Sequence, residues 1–138
     1  MRGKFGLLAA LAAVCCTSGV ALAHHGFDTE YDAKKKVKLT GVVKQVAWTN
    51  PHMRVYIDVT EQDGNVTTWN LELTSPNRIR RQGWGPNDLK PGDKVEFEGY
   101  GGKVVESRGS LLSIRKEGNS TFLFEEGGPE GAGEQRPQ

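Results

Sequence analysis

Between residues 52 and 60 apolar and polar side chains alternate without interruption, and no other feature restricts the fold of this chain as strongly. The apolar members of this segment are Met53, Val55, Ile57 and Val59. A period of two places these side chains on one face of a β-strand. A turn follows at residues 62–65, where Gly64 accepts a positive φ angle, and residues 66–73 alternate again. The sequence therefore predicts a β-hairpin with one buried face.

Four further segments have the composition of strands and are separated by turns. They cover residues 37–48, 94–100, 110–115 and 121–124. Gly41 interrupts the alternation of the first, which predicts a bulge or a bend there. Between the third and fourth strands Ser75 and Pro76 predict a short helix, because serine caps free amides and proline suits the first helical position. Gly83 is expected to end this helix.

This order of elements predicts an all-β class, mainly β with one short helix between the third and fourth strands. We expect a small closed barrel of five to six strands, like the oligonucleotide/oligosaccharide-binding (OB) fold. An open meander or a small β-sandwich fits less well, because it leaves the helix unexplained. Closure also removes exposed strand edges, which helps a domain that has no disulfide.

The first 23 residues combine a positive start, an apolar run and a small-residue cleavage site. These features are Arg2 and Lys4, residues 5–14, and Ala21-Leu22-Ala23. They are typical of a Sec-type signal peptide cleaved after Ala23, so we expect a periplasmic or secreted protein. A lipoprotein acylated at Cys15 or Cys16 is the alternative. No second apolar run approaches the roughly 20 residues of a membrane span, so none is expected after cleavage.

Removal of this leader leaves 115 residues, enough for one small domain. Residues 24–36 are polar and lack periodicity, which predicts an extended N-terminal arm. Residues 37–124 form the predicted OB-like barrel domain. Residues 125–138 are rich in Gly, Glu and Pro and have no apolar anchor, so we expect a disordered tail.

A set of short motifs is spread over roughly residues 24 to 124 of the chain. They are His24-His25-Gly26-Phe27, Tyr31-Asp32, Leu39-Thr40-Gly41-Val42-Val43, Trp48-Thr49-Asn50-Pro51-His52, Asp63-Gly64, Trp69, Ser75-Pro76-Asn77, Arg81-Gln82-Gly83-Trp84 and Leu89-Lys90-Pro91-Gly92-Asp93. In this combination the chain resembles a bacterial family of small exported proteins, catalogued as domain of unknown function 6152. The resemblance implies a periplasmic β-barrel domain and brings no established activity.

The chain has three histidines, His24, His25 and His52. After cleavage His24 would offer an α-amino and a ring nitrogen to one metal ion, and His52 could supply a third nitrogen. Nitrogen-rich tetragonal sites suit Cu(II), and this set resembles the histidine brace of copper-dependent oxygenases and copper carriers. A purely structural hydrogen bond that closes the first hairpin is the alternative role of His52. Copper is thus the candidate cofactor, with His24, His52 and His25 as candidate ligands. Carboxylates that could support them are Asp28, Glu30 and Asp32.

A candidate surface for a ligand or partner lies on the side of the hairpin that carries His52. It consists of Arg54, Tyr56, Asn50 and Trp48. Met53 points to the opposite face and is predicted to belong to the core. The aromatic residues allow two interpretations, core packing or a stacking platform for bases or sugars. They are Trp48, Trp69, Trp84, Tyr56 and Tyr100.

No set of residues for hydrolysis or phosphate binding can be recognised, so we expect a protein that is not an enzyme. Without its leader the chain has a net charge of about −1, which gives no general attraction to nucleic acid. The sequence therefore favours a periplasmic binding or accessory module, whose partner is an unknown periplasmic protein or small ligand. The alternatives are a copper-binding protein that uses His24 with His52, and an OB-type binder of nucleic acid or saccharide.

Overall fold

The computed structural model describes residues 26–119 and 124–125 of the chain. The predicted signal peptide, His24, His25 and residues 126–138 lie outside this part. The described elements are β1 (Tyr31–Ala47), β2 (Arg54–Thr60), β3 (Val66–Glu72), α1 (Pro76–Arg81), β4 (Lys94–Gly102), β5 (Arg108–Lys116) and β6 (Phe124–Glu125). The prediction of a mainly β chain with a short helix between the third and fourth strands is confirmed.

The strands form one six-stranded sheet in the order β3-β2-β1-β4-β5-β6. Neighbours in this order are antiparallel. In addition, β3 pairs in parallel with β5, so that Asn70 lies opposite Arg108 and Glu72 lies opposite Ser110. The last residues of β3 therefore lie beside the first residues of β5, and this edge carries the candidate site.

The first strand begins earlier than the sequence pattern predicts, at Tyr31 instead of residue 37. Residues 26–30 form a helical turn and the following residues pair with β4, so the expected extended arm is ordered chain. Phe27 packs its ring against Tyr31 and Tyr100, with centroid distances of 5.4 Å and 5.6 Å. These aromatic contacts anchor the start of β1. The segment carries exposed lysines and shows no alternation, so the sequence pattern does not indicate a strand there.

β1 changes partner near its middle, because it pairs with β4 up to Val42 and with β2 from Val42 onward. The sequence predicts a bulge or bend at Gly41, and the register shift between β1 and β2 lies slightly later, between Val43 and Gln45. Gly41 is needed for another reason: a Cβ there would lie 2.6 Å from the backbone oxygen of Asp58. The glycine lets the two strands approach closely where β1 changes partner.

Inward-facing residues of the strands, the helix and the connections form one apolar cluster within the described chain. Its members are Val43, Met53, Val55, Ile57, Val59, Trp69, Leu71, Leu73, Ile79, Trp84, Leu89, Val95, Phe97, Leu111 and Ile114. Fully burying one such side chain contributes roughly 1.5–3 kcal/mol. The alternation read from the sequence thus predicts the buried face of β2 and β3 correctly, and the assignment of Met53 to the core is confirmed.

The helix α1 begins and ends as its sequence predicts. Ser75 caps it by accepting a hydrogen bond from the backbone N–H of Arg78, and Pro76 occupies its first turn. Gly83 follows it with a φ of 91°, in the left-handed region that favours glycine. Ile79 is fully buried and attaches the helix to the core.

Candidate functional site

A carboxylate at the end of β3 gathers polar groups from three parts of the chain. Glu72 lies opposite Arg54, the first residue of β2. Its Oε2 accepts hydrogen bonds from Nη2 of Arg54 at 2.5 Å and from the hydroxyl of Tyr31 at 2.9 Å. Its Oε1 lies 2.7 Å from Nδ1 of His52. Arg54 also donates through Nη1 to Oδ1 of Asn70 at 3.0 Å. We refer to Tyr31, His52, Arg54, Asn70 and Glu72 as the Glu72 cluster.

The cluster is partly shielded from water. The side chains of Glu72 and Arg54 are 18% and 23% exposed, whereas that of His52 is 52% exposed. Charged groups that lose water need paired charges and hydrogen bonds, and Glu72 has both. Its carboxylate is therefore held in place while the histidine ring stays accessible.

Tyr31 is a neutral donor in this cluster. Burial, followed by the hydrogen bond to Glu72 and the charge of Glu72, raises the pKa of Tyr31 well above its ordinary value. Its hydroxyl therefore keeps its proton at neutral pH and donates to the carboxylate. The contact joins the start of β1 to the end of β3.

His52 stands in the connection between β1 and β2, just after the cis peptide bond between Asn50 and Pro51. Its carbonyl oxygen accepts a hydrogen bond from the hydroxyl of Thr49 at 3.0 Å. Its Nδ1 faces Glu72, and an ionised carboxylate only accepts hydrogen bonds, so Nδ1 carries a proton. In the neutral imidazole Nε2 then has the free lone pair.

A recess lies next to Tyr31, between the helical turn and the connection of β4 to β5. Its volume is about 310 Å³. Two valines with high exposure, Val104 at 95% and Val105 at 54%, contribute its apolar wall. Glu30 and Arg108 also line it, and the Arg108 guanidinium has no ion pair or hydrogen bond with any described residue. The recess thus combines an apolar surface with a free cation.

The predicted ligand surface is divided between two sides of the molecule. Arg54 belongs to the Glu72 cluster, and Tyr56 follows it on the outer face, opposite Asn70. Asn50 is exposed in the connection before β2. Trp48 instead packs on Trp84 at 5.7 Å, and its ring lies under the guanidinium of Arg80 from α1.

Two of the three tryptophans are core residues. Trp69 and Trp84 are only 5% and 3% exposed, and Trp69 packs on Phe97 at 6.0 Å. The core interpretation of these two residues is confirmed, so they offer no face for stacking bases or sugars. Trp48, half-buried against Trp84, has little free face either.

The sequence analysis missed Tyr31, Asn70 and Glu72 as members of the site. The hairpin register could have found two of them, because the turn at residues 61–65 places Thr60 opposite Val66. Counting back along both strands from that pair reaches Arg54 opposite Glu72 and Tyr56 opposite Asn70. No local signal points to Tyr31, whose partner lies 41 residues away.

The sequence profile of the family of unknown function DUF6152 matches residues 11–111. The chain belongs to this family. The resemblance seen in the motifs is therefore confirmed, and it carries no assigned activity with it. No curated protein and no solved structure matches the chain.

Within residues 26–119 and 124–125 no three His, Cys, Asp or Glu side chains are grouped to hold a metal ion. Of the three candidate ligands the described chain includes only His52, because His24 and His25 precede it. No helix of the same residues is long and apolar enough to cross a membrane.

Proposed function

We propose that this member of DUF6152 is an exported periplasmic binding or accessory module without a catalytic centre, built on a closed OB-type barrel. The β3–β5 pairing supports closure, since β1, β2, β3, β5 and β4 then each have two neighbours in a ring. The position of α1 between β3 and β4 is the one OB folds use. Fold likeness alone does not assign a ligand, so the proposal depends on the site.

One observation supports the binding function: the Glu72 cluster and the recess adjoin at one end of the sheet. Tyr31 belongs to both. Asn70 of the cluster also donates its backbone N–H to the carbonyl of Ser107 at 2.8 Å, in the connection between β4 and β5. OB folds bind ligands on the face of strands 2 and 3, between the connection of strands 1 and 2 and the connection of strands 4 and 5. The site occupies the corresponding place here.

The chemistry of the recess indicates the class of ligand. Val104 and Val105 suit an apolar group, and the exposed guanidinium of Arg108 suits a carboxylate or a phosphate. A small acidic molecule or a short peptide segment with an apolar part fits this combination. Tyr56, partly exposed on the adjoining outer face, extends the surface for a larger partner.

Thermal unfolding of the mature protein with fractionated periplasmic extract tests this function. A ligand that binds only the folded state raises the Tm, by mass action. We expect one fraction to raise the Tm of the wild type and of the control variant Gln62→Ala, which changes the exposed hairpin turn at the far end of β2 and β3. Arg108→Ala and Tyr56→Ala should reduce the shift. Equal shifts in all four proteins would contradict a site at this end of the sheet.

A second candidate function is Cu(II) binding, and we favour copper carriage over oxygen activation. One observation supports copper binding. The 2.7 Å contact between Nδ1 of His52 and Oε1 of Glu72 leaves Nε2 of an exposed ring available to a metal. His24 precedes the anchored Phe27 by three residues, a chain length of at most about 11 Å. Phe27 packs on Tyr31, which shares the carboxylate of Glu72 with His52. The copper proposal requires the mature N-terminus to lie beside His52.

Calorimetry with Cu(II) on protein that starts at His24 tests the copper function. We expect tight binding that weakens in His52→Ala and in a protein that keeps an extra N-terminal Met, because each removes one nitrogen ligand. Copper affinity that neither change reduces would rule out a site built from His24 and His52.

A further inference from the structure

The recess beside Tyr31 has walls from two segments that backbone hydrogen bonds hold together. The backbone N–H of Lys103 donates to the carbonyl of Glu30 at 3.0 Å, which joins the β4–β5 connection to the helical turn of residues 26–30. Within that connection the N–H of Arg108 donates to the carbonyl of Val105 at 3.0 Å. The main chain therefore sets the shape of the recess.

Gly102, which also lines the recess, allows the β4–β5 connection to fold tightly. Its N–H donates to the carbonyl of Glu106 at 3.1 Å. A Cβ at this position would overlap the backbone oxygens of Val105 and Arg108, so only a residue without a side chain can occupy it. A preformed recess of this kind lowers the entropy that is lost when a small ligand binds.

The side chains that line the recess offer three kinds of contact. Glu30 contributes a carboxylate, Arg108 contributes a guanidinium, and Val104 and Val105 contribute apolar surface. Glu30 and Arg108 belong to different walls, and within the described chain they form no ion pair with each other. Each charge can therefore bind a ligand group of the opposite sign through charge-assisted hydrogen bonds.

We propose that the recess binds a zwitterion with an apolar side chain, which is the chemistry of a free α-amino acid or of a very short peptide. Arg108 binds the carboxylate, Glu30 binds the ammonium group, and Val104 and Val105 contact the apolar side chain. The volume of about 310 Å³ lies at the lower end of the range of ligand pockets, which favours a molecule of this size. This inference rests on the binding function proposed above and narrows its ligand.

NMR titration of the mature protein with L-leucine, L-phenylalanine and the dipeptide leucyl-leucine tests the inference. We expect at least one of these probes to bind and to shift the amides of residues 29–31 and 102–108, around the recess. Tighter binding of a free amino acid than of the dipeptide would identify the first source of the ligand, and the reverse order would identify the second. Absence of binding by all three probes at millimolar concentration overturns the inference.

Derivatives of the probe that binds most tightly test its three groups separately. The N-acetylated form lacks the ammonium group and the amidated form lacks the carboxylate. Glycine, or glycylglycine for the dipeptide, keeps both charges and lacks the apolar side chain. We expect each derivative to bind about 10–100-fold more weakly, because each loses a charge-assisted hydrogen bond or apolar contact. Equal affinity for the probe and its derivatives would overturn the inference.

Two variants show which side chain binds which charge. Glu30→Gln and Arg108→Gln should each weaken binding of the probe by about 10–100-fold. N-acetylation should then cost little more in Glu30→Gln, and amidation should cost little more in Arg108→Gln. The controls Glu61→Gln and Arg81→Gln each remove an exposed charge away from the recess, so the affinity should stay within about twofold of the wild type.

The variants also supply outcomes that contradict the inference. Equal weakening by the control and the recess variants would mean a general charge effect. Unchanged costs of N-acetylation and amidation in the two recess variants would show that these side chains do not bind the charges of the probe. Either result overturns the assignment of the recess to a zwitterion.

The outcomes separate this inference from the binding function. If a periplasmic fraction raises the Tm, Arg108→Ala reduces the shift and no probe binds, the binding function stands and the zwitterion inference fails. If no fraction raises the Tm and no probe binds, both fail.

Discussion

At the scale of single residues, one carboxylate organises the candidate site. Glu72 accepts hydrogen bonds from Tyr31 and Arg54, and its Oε1 lies 2.7 Å from Nδ1 of His52. Arg54 and Tyr31 are shielded from water, so loss of the carboxylate would leave Nη2 of Arg54 and the hydroxyl of Tyr31 without their acceptor, while Nη1 of Arg54 would still donate to Asn70. A buried polar group without its partner costs about 1–3 kcal/mol. The site and the stability of the fold therefore depend on the same contacts.

Replacement of Glu72 by alanine should lower the free energy of unfolding by about 1–3 kcal/mol. Tyr31→Phe removes a single hydrogen bond and keeps the ring packed on Phe27, so its cost should be about 1 kcal/mol. Urea unfolding of both variants measures these differences. A Glu72→Ala protein as stable as the wild type would show that the cluster contributes nothing to folding.

The raised pKa of Tyr31 predicts that the free energy of unfolding depends differently on pH in the wild type and in Tyr31→Phe in alkaline solution. Its folded pKa is raised by burial and by Glu72, so its stabilising effect is complete below the ordinary tyrosine pKa of about 10. Above that pH the unfolded chain loses this proton before the folded protein does, and the free energy of unfolding falls as pH rises. Tyr31→Phe should show a shallower fall above about pH 10, measured by urea unfolding at several pH values. Identical slopes in the two proteins would contradict the neutral donor role.

At the scale of elements, β1 determines how the site is assembled. Its first half pairs with β4 and its second half with β2, and the start of the strand brings Tyr31 to Glu72. Gly41 lies where the partner changes, with the backbone of Asp58 too close for a side chain. The geometry of this strand thus connects the N-terminal segment to the hairpin.

Gly41→Ala should destabilise the protein by about 1–3 kcal/mol, because the added methyl group would meet the oxygen of Asp58 and the side chain of Ile57 at 2.6 Å. Gly85→Ala is the control, since its Cβ would lie 3.6 Å from Oδ2 of Asp88, an ordinary contact. Thermal or urea unfolding should find the control within about 0.5 kcal/mol of the wild type. Similar stability of the two variants would argue against the close approach of β1 and β2 at Gly41.

At the scale of the whole molecule, local pattern predicts much of the fold. The alternation of Met53, Val55 and Ile57 and the caps of α1 are properties of neighbouring residues, so the sequence shows them directly. The early start of β1 at Tyr31 depends on a distant contact with Glu72 and on aromatic packing of Phe27. Such contacts leave no local periodicity, which is why the pattern predicts an extended arm there and not the start of β1.

In the candidate site, too, some residues can be predicted from the local sequence pattern and others cannot. His52 and Arg54 can be proposed from the outer face of one predicted strand, and Glu72 follows once the hairpin register is counted. Tyr31 and the recess at Val104 become visible only when β1, β4 and the β4–β5 connection are assembled. The proposed ligand-binding end of the molecule is thus formed only by the tertiary structure.

The proposed closure of the barrel predicts strong protection of the amides between β3 and β5. The pairing covers residues 70–72 and 108–110. Hydrogen exchange of the mature protein should show these amides protected as strongly as those of the β2–β3 hairpin, because both would open only on global unfolding. Fast exchange confined to this pairing would indicate an open sheet.

We propose that the Glu72 cluster and the adjoining recess form the binding end of this protein. Amide NMR spectra of the mature protein, recorded with and without the periplasmic fraction that raises its Tm, test this proposal. We expect shift changes at residues 29–31, 52–56, 70–72 and 102–108, around the cluster and the recess. Shift changes centred instead on the turn at residues 61–65, with the Glu72 cluster unaffected, would contradict it.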